Sequence, residues 1–254
     1  MNADTANAET THASTNRNNP ATALVTGANK GIGREIARQL AAAGLTVLVG
    51  SRDPERGKAA VAGIGGDTRL LVLDVTDPTS IAEAARQVQE LDILVNNAGV
   101  LVDSDNPVEA DLDSFRRTYE TNVFGVLAVT NAFLPALRRS ASPRIVNISS
   151  GTGSLGRSSS AGTAFSTDGG AAAYRSSKTA LNALTLFYAQ ALAQDGFKVN
   201  ALAPGLRRTD LNDRAATSGG DPAEGAAGAV RLALLPDDGP TGTFVSWDGS
   251  AMPW

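Results

Sequence analysis

Tyr174 and Lys178 stand four positions apart in Ala-Tyr-Arg-Ser-Ser-Lys, at the head of a segment patterned as a helix. Residues at that interval share one helix face, so the lysine ammonium can sit beside the tyrosine hydroxyl. A nearby positive charge favours the phenolate and lowers the tyrosine pKa from its reference of about 10. Reaching neutral pH takes a shift of roughly two to three units, about 3–4 kcal/mol, which calls for a second cation beside the first. A pair tuned in this way would exchange a proton with a substrate oxygen. The same spacing also occurs as a packed ring beside a solvated amine, so the pair takes its meaning from its companions.

The first companion is Thr26-Gly27-Ala28-Asn29-Lys30-Gly31-Ile32-Gly33, which follows the apolar run Ala23-Leu24-Val25 and opens into a helical pattern. Glycines at a strand-to-helix turn allow positive backbone dihedrals and bring main-chain amides close to a phosphate, whose charge the helix N-terminus favours. Three residues rather than one separate the first two glycines, unlike the usual dinucleotide fingerprint. Further polar clusters follow apolar runs or lie in a helical pattern: Asn96-Asn97-Ala98-Gly99, Asn122 in Thr-Asn-Val-Phe-Gly, and Ser149-Ser150. In an open parallel sheet, ligands bind outside the carboxyl ends of the strands, so these clusters should converge on one crevice.

The elements that must position them are legible as alternation. Apolar runs at 23–25, 47–49, 70–75, 93–95, 145–148, 199–202 and 243–245 read as buried parallel strands. Helical patterns fall between them at 33–43, 55–64, 80–90, 114–138, 172–193 and 222–235. The expected fold is a single-domain, Rossmann-like α/β protein, a doubly wound parallel sheet of about seven strands flanked by helices. Two stretches are irregular, 151–170 and 206–221. Residues 1–20, rich in Asn, Thr and Ala, cannot bury enough surface to offset ordering and read as a disordered tail, leaving 21–254 as the domain.

Composition narrows the chemistry. The 254 residues contain no cysteine, which removes disulfides, thiolate catalysis and cysteine metal ligands. The single histidine, His12, lies in the tail, so zinc-dependent alcohol chemistry lacks its ligands and no metal is expected. A net charge of −4 disfavours nucleic acid as a partner. No segment has the apolar length of a signal peptide core or a membrane span, which makes the cytoplasm the expected location.

In order and over nearly the whole length from Ala21, the glycine turn, the Asn-Asn-Ala-Gly segment, the helix asparagine, the strand-end serine, the Tyr/Lys pair and Pro204-Gly205 resemble the short-chain dehydrogenases/reductases. The resemblance is to the carbonyl-reductase-like branch, of bacterial type. It implies that Tyr174 is the general acid for a carbonyl oxygen, that Lys178 binds the nicotinamide ribose and depresses the tyrosine pKa, and that Ser150, the second serine of its pair, hydrogen-bonds the substrate oxygen. Asn122 resembles the asparagine that holds a water near the lysine; a hydrogen bond stabilising a helix kink is the other open reading. For the cofactor, the resemblance implies contacts from Gly27, Asn29, Lys30, Gly31, Ile32 and Gly33 in the turn, from Asp74 and Val75 at the end of the third strand, from Asn97, Ala98 and Gly99, and from Tyr174, Lys178, Pro204, Gly205 and Thr209.

Charge at the end of the second strand points to NADPH/NADP+ over NADH. A carboxylate there would bind the ribose 2′-hydroxyl and repel a 2′-phosphate, whereas arginine welcomes the phosphate. The chain reads Ser51-Arg52-Asp53 with Lys30 in the glycine turn, so Ser51, Arg52 and Lys30 are the expected 2′-phosphate contacts and Asp53 is the counter-signal. The expected activity is reduction of a small-molecule aldehyde or ketone to an alcohol. An NAD-linked alcohol or steroid dehydrogenase working oxidatively, and a non-catalytic NADP-sensing binding protein, are the alternatives. The segment 151–173, longer than usual between the serine and the tyrosine, implies a shaped pocket and an oligomer, dimer or tetramer, that it could also block to leave a monomer. Arg207 and Arg208 read as solvated charges or contacts to an acidic substrate. Trp254 either caps the substrate site or packs against a neighbour.

Overall fold

The computed structural model describes residues 20–160 and 168–254. The expected disordered tail, apart from Pro20, and residues 161–167 of the inserted segment lie outside the described residues.

Seven strands, β1 (Thr22–Val25), β2 (Thr46–Ser51), β3 (Thr68–Val72), β4 (Ile93–Asn96), β5 (Arg144–Ile148), β6 (Lys198–Ala203) and β7 (Phe244–Ser246), form one sheet in the order β3-β2-β1-β4-β5-β6-β7. Every pairing is parallel. The order reverses between β1 and β4, which places a switch-point crevice at their carboxyl ends, beside Thr26 and Asn97.

The strands are apolar on both faces because helices cover both. Ala23, Val25, Ile93 and Val95 point into one core layer, against Ile36, Ala37 and Leu40 of α1 (Gly31–Ala42) and Ala226, Ala229 and Leu232 of α9 (Pro222–Ala233). Leu24 and Leu94, one position out of phase, enter the other layer with Val129, Phe133 and Leu137 of α5 (Gly125–Leu137). Three Asp-Pro steps start helices in the same way. Asp53, Asp77 and Asp221 accept first-turn amide bonds, and the proline occupies the first turn of α2 (Pro54–Ile64), α3 (Pro78–Gln87) and α9.

Several boundaries differ from the sequence expectation. The third strand ends at Val72, so Asp74 and Val75 lie in the turn beyond it, where Asp74 Oδ1 accepts from the Thr76 amide and hydroxyl. The pattern at 114–138 is not one helix. It divides into α4 (Leu112–Tyr119), a π-helical turn at Glu120–Phe124, and α5. The irregular stretches each carry a short helix, α6 (Leu155–Ser158) and α8 (Asp213–Ser218). The long helix α7 (Ala172–Ala191) agrees with expectation to within its last residues.

Candidate active site

At the glycine turn, the backbone does most of the work. Gly27 and Gly31 have φ of 62° and 56°, a region that other residues enter at a cost. Gly33 serves packing: a Cβ there would come within 2.3 Å of Asn97 Nδ2 and 2.7 Å of the Gly27 carbonyl oxygen. Asn97 uses that space to donate to the Thr26 and Gly27 carbonyls at 2.8 and 3.2 Å. The Thr26 hydroxyl accepts from the amides of Asn97 and Ala98, both at 3.0 Å, so turn and strand end are tied into one surface. Thr26 belongs to the motif, but nothing in its type announced this role.

Helix α1 begins at Gly31 with no side-chain cap on its first amides, and the chain past β6 folds over it, so that a Cβ at Gly31 would lie 3.3 Å from Thr209 Cγ2. Uncapped first-turn amides at a helix N-terminus, next to positive-φ glycines, are the donor set a pyrophosphate requires. The residues present therefore fit a dinucleotide. Among the basic candidates, Lys30 Nζ is 2.9 Å from Asp210 Oδ2, while Arg52 is exposed and has no ion pair among the described residues. Ser51 is buried and donates to the Asp53 carbonyl at 2.8 Å. Asp53 caps α2 through Oδ1, accepting from Glu55 and Arg56 amides at 2.9 and 3.1 Å.

At the other end of the crevice, β5 delivers Ser149 and Ser150 with different fates. Ser149 is buried, donating to Asn182 Oδ1 at 2.5 Å, whereas Ser150 is half-buried and bonded to the Thr152 hydroxyl and amide at 2.9 and 3.2 Å. Tyr174 and Lys178 share one face of α7, with Lys178 Nζ 5.8 Å from the Tyr174 ring centroid. Lys178 is buried, its Nζ donating to the Ile148 carbonyl at 2.8 Å. Burial pulls its ammonium down to about 8.

The expected depression of the tyrosine pKa is not found. Burial raises Tyr174 above its ordinary value, and the Ser150 hydroxyl, which acts in the other direction, is the weaker influence. Desolvation outweighs a single ammonium at that distance, so the second cation required by the sequence argument is still required.

Asn122 is fully buried inside the π-helical turn. Its Oδ1 accepts from the Val100 amide at 2.8 Å, and its Nδ2 donates to the Val100 carbonyl at 2.8 Å and to Ser177 Oγ at 3.0 Å. It clamps the chain after Gly99 to α7, and a Cβ at Gly99 would stand 3.3 Å from Asn122 Oδ1 and 3.4 Å from Lys178 Nζ. Asn96, Asn147 and Thr185 continue this polar seam from β4 through β5 to α7, with bonds of 2.9 Å at each step.

Past β6, Pro204 is buried and Gly205 has φ of 76°. Arg207 is buried and paired with Glu224, which corrects both readings of it as a solvated charge and as a substrate contact. Trp254 stacks on Phe244 with centroids 5.5 Å apart, in a small core cluster with Met252, which answers its open alternative in favour of packing.

A doubly wound sheet carrying a Ser, Tyr and Lys cluster at its carboxyl edge, opposite a glycine turn suited to a dinucleotide, defines an oxidoreductase of the nicotinamide-binding class. The short chain dehydrogenase family model matches residues 21–218, and the chain belongs to that family. It is 36% identical to salutaridine reductase of Papaver bracteatum, with 87% of this chain and 93% of the relative covered. It is equally 36% identical to (+)-neomenthol dehydrogenase of Arabidopsis thaliana, covering 89% and 96%. Among solved structures, the NADPH-bound carbonyl reductase from chicken fatty liver matches with a TM-score of 0.80 at 31% identity, over 93% of this chain and all of the other. The alignment to salutaridine reductase spans 292 positions, more than the whole of this chain, so that relative has internal segments this one lacks. No helix among the described residues is long and apolar enough to cross a membrane.

Proposed function

We propose that the chain, as one domain over 21–254, is an NADPH-dependent reductase of aldehydes and ketones. The observation that carries this reading is the gathering of Ser150, Tyr174 and Lys178 at the carboxyl edge of the sheet, with the tyrosine and lysine withdrawn from water. The cofactor supplies hydride to the carbonyl carbon. Tyr174 donates its hydroxyl proton to the carbonyl oxygen, and the product is the alcohol. Ser150 donates a hydrogen bond to the same oxygen from a position fixed in advance by the turn at Gly151–Gly153. Lys178 contributes positive charge that favours the phenolate left on Tyr174 and donors for the ribose hydroxyls. Asn122 sets the lysine's surroundings by holding the Val100 backbone against α7.

Preference for NADPH is supported by the position of Asp53. Its carboxylate is engaged as the cap of α2 and paired with Arg56 at 3.4 Å, so it is not offered to a ribose 2′-hydroxyl. Arg52 is left as the cation for a 2′-phosphate, with Lys30 dividing its charge between that phosphate and Asp210. The carbonyl reductase it resembles is itself seen with NADPH. The inserted segment forms part of the pocket wall, tied to the C-terminus by Ser154 Oγ donating to the Pro253 carbonyl at 2.6 Å and the Gly156 amide to the Trp254 carbonyl at 2.9 Å.

The test is oxidation of NADPH and of NADH by purified protein against aromatic aldehydes, β-keto esters, diketones and cyclic ketones. NADPH-selective turnover is expected. Equal or better catalytic efficiency with NADH would remove the cofactor assignment, and no turnover with either would remove the reductase.

A further inference from the structure

The stretch from Leu206 to Asp221 contains only the six-residue helix α8 as regular structure, yet it follows directly on the Pro204-Gly205 turn. Its interior is organised around one side chain. Arg207 is only 6% exposed. Its Nε donates to the Pro204 carbonyl at 2.6 Å, its Nη1 is paired with the Glu224 carboxylate on α9, and its Cζ lies 4.3 Å from the centroid of the Trp247 ring. The backbone around it is closed by Arg208 N–H to Gly220 O at 2.8 Å and Gly220 N–H to Leu206 O at 3.0 Å.

Glycines make room for this guanidinium on several sides. A Cβ at Gly220 would come within 2.7 Å of Arg207 Nη1, one at Gly225 within 3.2 Å of its Cγ, and one at Gly205 within 3.2 Å of its Nη2 and 3.0 Å of Trp247 Cδ1. Gly219 is held even closer, 2.3 Å from the Arg207 carbonyl carbon. Burying a cation is costly unless it is paired and hydrogen-bonded, and apolar residues stabilise a loop as well or better. What an apolar side chain cannot do is hold the Pro204 carbonyl in one direction while a planar fork stacks on an indole and reaches a carboxylate.

We propose that Arg207 is a positioning residue for the Pro204-Gly205 turn, fixing the surface that this turn presents to the nicotinamide half of the cofactor. The inference rests on the reading of the site as an NADPH-dependent reductase. Arg207 touches neither substrate nor cofactor; it acts through the Pro204 carbonyl, with Glu224 and Trp247 holding the guanidinium plane.

The experiment compares binding of two probes by titration. NADPH spans the whole crevice, whereas adenosine 2′,5′-bisphosphate carries the 2′-phosphate but no nicotinamide. Arg207→Met keeps the length of the side chain and removes the fork. It is expected to weaken NADPH by about ten-fold, the loss of one charge-assisted hydrogen bond, and to lower kcat, with bisphosphate affinity unchanged. Arg207→Lys restores the charge without the fork and should recover little of the loss. Glu224→Gln, which leaves the Pro204 bond in place, should shift NADPH in the same direction by less. Equal weakening of both probes, or no change in either, overturns the proposal. If Arg207→Met does not fold, Glu224→Gln and Trp247→Phe decide by the same split. A wild-type protein that binds NADPH but reduces no carbonyl would sink the reductase reading and leave the binding split to be judged by itself.

Discussion

Lys178 and Tyr174 are withdrawn from water at the catalytic end of the crevice, whereas Lys30 and Arg52 stand in solvent at the phosphate end. Both ends must manage charge, but the tasks differ. Proton transfer needs groups whose affinity for a proton has been moved by their surroundings, and only burial or close charge moves it far. Recognition of a phosphate needs a cation that can exchange water for an anion at little cost, which an exposed side chain can do. The catalytic end is accordingly built from side chains locked by other side chains. The phosphate end is built from backbone, with its charges left loose.

Breaking the catalytic end should have the largest effect. Tyr174→Phe removes the proton donor without changing the ring, and turnover is expected to fall by about two to four orders of magnitude while NADPH affinity holds. Full activity in that variant, measured by steady-state kinetics, would end the mechanism. Lys178 gives the next largest effect, read in stability. Its folded pKa of about 8 lies below the ordinary 10.5, so between those values the unfolded chain keeps a proton that the folded one has released. Stability of the cofactor-free protein therefore rises with pH through that window, by about 3 kcal/mol in all, and the full penalty is present below about 8. Tyr188 works oppositely. Burial pushes it up to about 12 from 10, so its contribution is lost as pH rises from about 10 towards 12. Thermal melts should show a maximum near pH 10. The rise before it should be missing in Lys178→Met.

The comparison also explains how much could be read from sequence. All seven strands and the parallel order were legible, because a sheet covered on both faces needs continuous apolar runs and these were present. The glycine turn was legible because its geometry is local: a positive φ at Gly27 or Gly31 is a property of one residue type. Tyr174 and Lys178 were found by a four-residue spacing on one helix. What stayed hidden was made by contacts distant in sequence. The break in the helix at Asn122 depends on the Val100 backbone, and the tyrosine pKa depends on how deeply α7 is packed. Arg207 read as a surface charge because its partners, Glu224 and Trp247, are marked by no motif. Asp53 looked like a ribose ligand until the strand was seen to end at Ser51 and the Asp-Pro step to start a helix.

At the phosphate end, Arg52→Ala should raise the NADPH Kd by about ten-fold, as expected for one exposed charge-assisted contact to phosphate, and leave NADH nearly unchanged. The shift should shrink with added salt, since exposed charges are screened. An equal loss for both cofactors would mean that Arg52 holds the fold of the strand end and does not read the phosphate.

The smallest effect belongs to Asp210, and its sign sharpens the contrast most. Lys30 and Asp210 are 58% and 75% exposed, so their ion pair is worth at most about 1 kcal/mol. If Lys30 is a loose cation waiting for a phosphate, Asp210 competes for it. Asp210→Asn should then tighten NADPH by about two- to five-fold at low salt, with no change for NADH and little change at high salt. If the pair instead straps the loop after β6 across the glycine turn, the same substitution weakens both cofactors alike. Thr209 packs beside Gly31 in either case, so packing does not distinguish the two. Titration of the two cofactors at low and high salt does, because only competition for the phosphate separates NADPH from NADH.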